Sequence, residues 1–252
     1  MQGKIALITG GSRGLGRNTA IHIARRGADV ILTYREGEQQ AAEAVAEISA
    51  LGRRAVALRL DVADASGFAD FAQGAARELD TQWRRDSFDF LVNNAGMGVY
   101  ASYAETTAQQ FDDLVNVHFK GPFFLTQALL PLIADGGRIV NISSGLARFA
   151  LPGHAAYASM KGAMEVLTRY QAKELGARGI AVNIVAPGAI ETDFGGGAVR
   201  DNPELNSYVA GNTAMGRAGL PDDVGGAIAA LLGEGNRWVT AQRIEVSGGM
   251  FL

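Results

Sequence analysis

The chain of 252 residues has no cysteine, only three histidines and no apolar run of membrane-spanning length. Without cysteine it can form neither a disulfide framework nor a thiolate metal site, and it has no thiol nucleophile. His22, His118 and His154 lie far apart in the sequence and form no ligand-spaced cluster, so we expect no bound metal. A membrane-spanning helix requires roughly 18 consecutive apolar residues, and we expect no membrane association.

The chain also lacks an excess of charge of either sign. It carries 23 Lys and Arg against 26 Asp and Glu, a formal net charge of −3, so no basic surface suggests a nucleic-acid partner. The first strand-like segment begins at Lys4, which leaves no room for a signal peptide. We therefore expect a soluble cytoplasmic protein.

Strand-like and helical segments alternate along the whole chain, with no repeat or linker between them. This alternation is typical of a parallel sheet with right-handed crossovers. The sequence predicts one α/β domain over residues 1–252, a Rossmann-type doubly wound parallel sheet of about seven strands with helices on both faces. The predicted strands cover residues 4–9, 29–34, 55–60, 88–92, 138–142, 180–185 and 243–246.

Three connecting segments carry more specific expectations. The long helical segment 108–132 is predicted to be interrupted at Gly121 and Pro122, and a helix is predicted to run to about Trp83. Residues 79–87 are long for a connection between a helix and a strand, and the pattern suggests no role for them. The glycine-containing polar segment 193–217 is predicted to be a mobile loop that covers a substrate.

A glycine-rich turn follows the first strand. Gly10, Gly14 and Gly16 have the spacing G-x-x-x-G-x-G, and a helical pattern begins immediately after them. Strand, glycine turn and helix N-terminus together form the context in which backbone N–H groups bind a pyrophosphate. The turn alone is a weak signal, and its place directly after a first strand strengthens it.

The residues that end the second strand bear on the choice of dinucleotide. An acidic residue there selects the ribose 2′-hydroxyl of NAD, whereas a basic residue accommodates the 2′-phosphate of NADP. Tyr34 is followed by Arg35, and Arg13 lies inside the glycine turn, so two guanidinium groups could bind one phosphate. Glu36 favours NAD. We expect NADP(H), with NAD as the alternative.

A tyrosine and a lysine four residues apart form the candidate catalytic pair. Tyr157 and Lys161 lie in a helical pattern, so both side chains project from one face of the helix. A nearby cation favours the phenolate and brings the pKa of a tyrosine down from its ordinary value of about 10. Ser144 ends a neighbouring strand and could hydrogen-bond the same substrate oxygen. Taken alone, the pair could equally be a chance spacing on a half-exposed helix.

The motifs taken together resemble those of the short-chain dehydrogenase/reductase family, over essentially the whole chain. The serine precedes the tyrosine by thirteen residues, the spacing typical of that family, which selects Ser144 over Ser143. The residues that carry the resemblance, in chain order, are Thr9, Gly10, Gly14, Gly16, Asn93, Asn94, Ala95, Gly96, Asn116, Ser144, Tyr157, Lys161, Pro187 and Gly188.

The resemblance implies four catalytic roles. Tyr157 would be the general acid in reduction, Lys161 would lower its pKa and bind the nicotinamide ribose, and Ser144 would polarise the carbonyl. Asn116 would hold a water that links Lys161 to solvent.

The resemblance also implies a cofactor site. The glycines of the turn would line the pyrophosphate, Asp61 and Val62 the adenine, and Thr192 the carboxamide, although Asp61 could equally be the N-cap of the next helix. The expected cofactor-binding residues are Gly10, Ser12, Arg13, Gly14, Leu15, Gly16, Tyr34, Arg35, Asp61, Val62, Asn93, Ala95, Gly96, Tyr157, Lys161, Pro187, Gly188, Ile190 and Thr192.

The implied activity is NADP-dependent hydride transfer between nicotinamide and a carbonyl or secondary alcohol, and 3-oxoacyl thioester reductases are among the similar members. Two alternatives stay open, a sugar or polyol dehydrogenase and a non-catalytic regulator that senses NADP(H). The complete proton-transfer set argues against the regulator. Relatives suggest a homotetramer, and Met97, Tyr100, Leu151 and segment 193–212 are expected to shape the substrate pocket.

Overall fold

Seven short strands form one fully parallel sheet in the computed structural model, which describes residues 1–252. Their bounds are β1 Ile5–Ile8, β2 Asp29–Tyr34, β3 Ala55–Arg59, β4 Phe88–Asn93, β5 Ile133–Ile142, β6 Ala181–Pro187 and β7 Arg243–Val246. The α-helices are α1 Gly14–Arg25, α2 Glu38–Ala50, α3 Phe68–Glu78, α4 Ala108–Val115, α5 Gly121–Leu129, α6 Ala155–Leu175, α7 Ala198–Asp201, α8 Pro203–Gly211 and α9 Pro221–Leu231. The expected doubly wound α/β architecture is therefore confirmed.

The central strands are buried on both faces, which explains why their sequences are almost continuously apolar. In β1, Ala6 and Ile8 pack into a core with α1, α2 and α9, whereas Ile5 and Leu7 pack into a second core with α3, α5 and α6. Successive side chains of a strand point to opposite faces, so this alternation fixes the register of β1 between the two helical layers.

The strand order is β3-β2-β1-β4-β5-β6-β7. The chain adds β2 and β3 on one side of β1 and β4 to β7 on the other, so the direction of winding reverses between β1 and β4. In open parallel sheets, ligands bind outside the carboxyl ends of the strands at this point of reversal. The glycine turn follows β1, and Asn94 to Gly96 follow β4, so both segments flank the crevice. Ser144, which follows the end of β5, lies one strand further along the same edge.

The prediction of an interruption at Gly121 and Pro122 was wrong. The irregular part of this long helical segment is a π-helical turn over Asn116–Lys120, between α4 and α5. Pro122 lies in the first turn of α5, where its missing N–H group is tolerated. An added Cβ at Gly121 would overlap the carbonyl oxygen of Val62, so this glycine allows close packing of the helix start.

The segment before β4 also differs from the predicted uninterrupted helix. Asp64, not Asp61, caps the 3₁₀ turn Ala65–Gly67 that precedes α3, while Asp61 accepts a bond from the N–H of Ala63. Residues Leu79–Trp83 form a second π-helical turn that buries the indole of Trp83. Its Nε1–H donates to Asp29 Oδ2 at 2.7 Å. The indole of Trp83 therefore anchors segment 79–87 to the start of β2.

Segment 193–217 is more regular than a loop. It contains a 3₁₀ turn at Phe194–Gly197 and the helices α7 and α8. Gly195, Gly196 and Gly197 all have positive φ, a conformation that favours glycine.

None of the helices combines the length and apolar character needed to cross a lipid bilayer.

Candidate active site

The glycine turn forms a cradle of backbone groups at the start of α1. Gly10 and Gly14 have positive φ, and an added Cβ at Gly16 would overlap the carbonyl oxygen of Gly10. Arg13 is the N-cap residue and provides no side-chain cap, and the first turn of α1 has no acidic residue. The free N–H groups and the positive end of the helix dipole thus suit an anionic group such as a pyrophosphate.

A threonine joins the glycine turn to the loop after β4. Thr9 Oγ1 accepts bonds from the N–H groups of Asn94 and Ala95, at 2.9 and 3.0 Å. Asn94 Nδ2 in turn donates to the carbonyl oxygen of Thr9 at 2.9 Å. A Cβ on Gly10 would lie 3.1 Å from Ala95 Cα. The two loops of the crevice therefore form one hydrogen-bonded unit.

The side chain of Asn93, one of the expected cofactor-binding residues, lies in the core. Its amide is buried and donates to Thr126 Oγ1 at 3.0 Å and to Asn141 Oδ1 at 2.8 Å. Asn141 then donates to Thr168 Oγ1 and to Gln171 Oε1. This buried polar network joins β4 and β5 to α5 and α6, and the asparagine side chain that lies beside the glycine turn is Asn94.

Two arginines lie at the carboxyl ends of β2 and β3, and only one of them was expected from the sequence. Arg35 follows β2, and its Nε pairs with Glu36 at 3.2 Å on the exposed surface. Arg59 ends β3 opposite Tyr34 in the strand register, and its Nε donates to the carbonyl oxygen of Arg35 at 3.4 Å. The sequence interpretation missed Arg59 because nothing local marks the end of a strand as adjacent to its neighbour in the sheet.

The remaining expected cofactor residues lie along the same edge of the sheet. Thr192 is buried, and a Cβ on Gly14 would lie 3.8 Å from its Cβ, so its segment faces the glycine turn. Gly188 leaves β6 with its N–H bonded to Val246, and Ile190 packs against Gly219. Ser12, Leu15, Tyr34, Val62 and Pro187 are buried or half-buried around this edge, and Asp61 is exposed.

Ser144, Tyr157 and Lys161 converge at the end of β5. The Ser144 hydroxyl accepts the N–H of Leu146 at 3.2 Å and lies close enough to the Tyr157 phenol to influence its pKa. The neighbouring Ser143 instead donates to Glu165 Oε1 at 2.7 Å. Lys161 Nζ lies 5.5 Å from the centre of the Tyr157 ring and donates to the carbonyl oxygen of Ile142 at 2.9 Å. Tyr157 and Lys161 are only 8% and 5% exposed. The arrangement places a phenol, a hydroxyl and an ammonium group in one pocket.

Burial determines the proton affinities of this pocket. It raises the pKa of Tyr157 above its ordinary value, and the hydrogen bond from Ser144 opposes this shift. We expected Lys161 to lower the pKa of Tyr157, but the effect of burial is larger and the pKa is raised. Burial also lowers the pKa of Lys161 to about 7, because the charged form is poorly solvated. The phenol stays protonated at neutral pH and can donate a proton.

Asn116 opens the π-helical turn that packs against α6, the helix of Tyr157 and Lys161. Its backbone carbonyl accepts the N–H of Gly121. Two residues further on, His118 is buried with its ring edge-on to Tyr157. The sequence interpretation treated His118 only as a non-ligand, since a lone histidine in an apolar helix carries no local signal.

Apolar and aromatic side chains surround Tyr157. Met97, Val99 and Leu146 pack in the cluster that contains Tyr157. The ring of Phe194 lies 5.9 Å from that of Tyr157, between ring centres. Tyr100 meets His154 edge-on at 5.5 Å, so the expected pocket residue Tyr100 contacts the histidine beside α6. No group of three or more His, Asp or Glu side chains could hold a metal ion.

The sequence model of the family described as enoyl-(acyl carrier protein) reductase matches residues 10–251. A hydroxynaphthalene reductase-like protein, Arp2 of Metarhizium brunneum, is 34% identical over 99% of this chain and 95% of its own length. The structure of LugOII, a reductase of lugdunomycin biosynthesis, is 41% identical, with a TM-score of 0.93 over 98% of this chain and 97% of LugOII.

The angucycline C-6 ketoreductase LanV, solved with NADP, is 36% identical, with a TM-score of 0.94 over 99% of this chain and 96% of LanV. A second LanV structure contains NADP and rabelomycin. The chain belongs to the short-chain dehydrogenase/reductase family of NAD(P)-dependent oxidoreductases that act on CH–OH and carbonyl groups.

A first prediction concerns the free energy of burying Lys161. The folded protein binds this proton only below about pH 7, whereas the unfolded chain binds it up to a pKa of about 10.4. Because the unfolded state binds more protons between these values, wild-type stability gains from Lys161 as pH rises through that range. Replacing Lys161 by Met should therefore raise the melting temperature at pH 6 by several degrees, and the gain should shrink by pH 9.

Thermal unfolding of both proteins at the two pH values measures this difference. Lys173→Met provides the control, because Lys173 is exposed on the same helix. A Lys161→Met variant that is less stable at pH 6, or a gap that does not change with pH, would contradict the prediction.

Proposed function

We propose that this protein is an NADPH-dependent ketoreductase that acts on a ketone carried by a fused, largely aromatic ring system. The observation that carries this proposal is the convergence of Ser144, Tyr157 and Lys161 in a buried pocket with apolar and aromatic walls. The names of the similar proteins support it, since they include a hydroxynaphthalene reductase-like protein and an angucycline ketoreductase.

The cradle at the start of α1 supports binding of a dinucleotide, and the arginines support the phosphorylated form. Arg13, Arg35 and Arg59 would bind the 2′-phosphate, because guanidinium groups match phosphate oxygens in geometry and charge. Glu36 is exposed and already paired with Arg35, so its competing effect is small. When bound, the nicotinamide supplies a hydride to the carbonyl carbon.

The residues of the chain would then handle the proton. Ser144 and Tyr157 both hydrogen-bond the carbonyl oxygen, and the phenol donates its proton to that oxygen as negative charge develops. The Lys161 ammonium stabilises the phenolate that remains, at short range and in a poorly solvated pocket. Asn116 would hold a water through which the proton is replaced from solvent. The phenol is protonated at neutral pH, as the reductive direction requires.

The walls of the pocket argue for a flat apolar substrate over a sugar. Met97, Val99 and Leu146 offer no hydrogen-bonding side chain beyond a thioether, and a polyol would lose its hydration there without replacement. Phe194 and Tyr100 present rings on which an aromatic substrate can stack. A 3-oxoacyl thioester remains the second candidate, because the matching family description names an acyl-carrier-protein substrate.

The test is NADPH oxidation with a panel of a fused-ring aromatic ketone, a 3-oxoacyl thioester, a ketosugar and a simple ketone. We expect the fused-ring ketone to give the highest kcat/KM. Replacing Tyr157 by Phe should lower that value by at least about 10³-fold, because the proton donor is lost, while NADPH binding stays within about twofold.

Tyr170→Phe is the matched control, since Tyr170 is exposed on the same helix. Highest turnover of the thioester would transfer the assignment to that substrate. Tight NADPH binding with no turnover of any carbonyl would favour the sensing regulator.

Another prediction concerns the cofactor. Replacing Arg59 by Leu should raise the Kd of NADPH about tenfold and leave that of NADH unchanged, because only NADPH carries the 2′-phosphate. Fluorescence titration of the two dinucleotides measures both constants. Arg77→Leu, an exposed arginine of α3 on the other face of the sheet, should change neither. An equal loss of affinity for NADH would rule out a phosphate contact.

We also infer a homotetramer. Exposed apolar side chains lie on the three helices next to the active site, and patches of this kind mark association surfaces in soluble proteins. Light scattering should give four times the mass of one chain, and Phe123→Glu should reduce it. A monomeric wild-type protein would refute the inference. The exposed side chains are Phe111 on α4, Phe123 and Phe124 on α5, and Val166 and Tyr170 on α6.

A further inference from the structure

His118 is a buried titratable residue that the mechanism above does not use. Only 2% of its surface is exposed, and it lies in the π-helical turn opened by Asn116. Burial and the charge of Lys161 lower its pKa to about 3, so the imidazole is neutral at physiological pH. A neutral imidazole has one donor nitrogen and one acceptor nitrogen, and the surroundings decide which is which.

The contacts of His118 select one tautomer. Nε2 lies 2.7 Å from the carbonyl oxygen of Met97 and 3.2 Å from the backbone nitrogen of the same residue. The contact with the oxygen is the shorter of the two, and it requires a proton on Nε2. Nδ1 is buried with no hydrogen-bond partner. The opposite tautomer would let Nε2 accept the Met97 N–H at the longer distance. It would also place the Nε2 lone pair against the Met97 oxygen at the shorter distance and leave a buried N–H on Nδ1 unpaired, which together cost more. Nε2–H therefore donates to Met97.

The same ring touches the catalytic tyrosine and fills the space beside the loop after β4. The ring planes of His118 and Tyr157 are nearly perpendicular, at 89°, and their centres lie 5.1 Å apart. A Cβ on Gly96 would lie 2.9 Å from His118 Cε1, so no larger residue fits there without displacing the imidazole. One side chain thus contacts both the proton donor and the loop that carries Met97.

We propose that His118 is a positioning residue that fixes the Met97 wall of the substrate pocket relative to the Tyr157 phenol, through the bond from Nε2–H to the Met97 carbonyl. Met97 packs in the apolar cluster around Tyr157, so a shift of its backbone changes the width of the pocket directly. The inference rests on the proposed ketoreductase function for its kinetic consequences, and on the contacts of His118 for its geometry.

The kinetic test compares two amides at position 118. The amide nitrogen of Gln reaches the place of Nε2 and can still donate to Met97, whereas that of Asn ends near the place of Nδ1 and cannot. We expect His118→Asn to raise the KM for the preferred ketone at least about tenfold, because the buried Met97 carbonyl loses its hydrogen-bond donor. His118→Gln should stay within about threefold of wild type. Both should keep the wild-type Kd for NADPH.

The two variants are similar in polarity and size, so a general loss of folding would affect both. His22→Gln is the control, because His22 lies on α1 and pairs with Asp222 away from the pocket. Equal KM values for the Asn and Gln variants would overturn the proposal. The proposal would also be overturned if His118→Asn weakened NADPH binding and left the KM for the ketone unchanged.

A measurement without turnover separates this inference from the proposed function. Imidazole ¹⁵N chemical shifts of the wild-type protein at pH 7 should show His118 as the neutral Nε2–H tautomer, whatever substrate the enzyme reduces. A protein that reduces no ketone yet shows this tautomer would refute the ketoreductase assignment and support the bond from His118 to the Met97 carbonyl. The Nδ1–H tautomer or a charged ring would refute that bond and with it the positioning role of His118.

Discussion

The buried ammonium group of Lys161 is the constraint on which the active site depends. Taking a cation out of water is costly, and its one hydrogen bond to the Ile142 carbonyl compensates this only in part, as the fall of its pKa to about 7 shows. The surrounding fold must therefore be stable enough to hold it there. What the fold gains is a positive charge close to a phenol that burial otherwise keeps protonated. In the proposed reaction, this charge would stabilise the phenolate after the proton has left.

The sheet supplies the rigid frame that this arrangement needs. Because the strand order reverses between β1 and β4, the glycine turn and the Asn94 loop lie side by side, and Thr9 fastens one to the other. The buried amides of Asn93 and Asn141 connect the same strands to the helices that carry Thr126 and Thr168. A different arrangement of strands and helices would leave these buried amide donors unpaired, so the network favours the observed one. The pocket lies at the edge of this frame.

Much of the fold could be predicted because alternating apolar strands and helices have strong periodic signals. Strand β2 and strand β7 have the predicted bounds, and the others differ at their ends. The motif residues Ser144, Tyr157 and Lys161 do lie together, since positions four apart on a helix share a face and the end of β5 faces α6. The π-helical turns were not predictable, because helical spacing of apolar residues is the same whether or not the hydrogen bonds shift by one residue.

The residues that the sequence did not reveal act through contacts between distant segments. Arg59 lies beside Arg35 only because β3 pairs with β2, and His118 lies against Tyr157 only because the turn opened by Asn116 packs on α6. Asn93 shows the reverse case, since a motif position expected at the cofactor directs its amide into the core. A family motif thus locates a segment of backbone, while the direction of each side chain depends on its neighbours in the fold. Around Tyr157 these neighbours are Met97, His118 and Phe194, which shape the pocket without belonging to the motif.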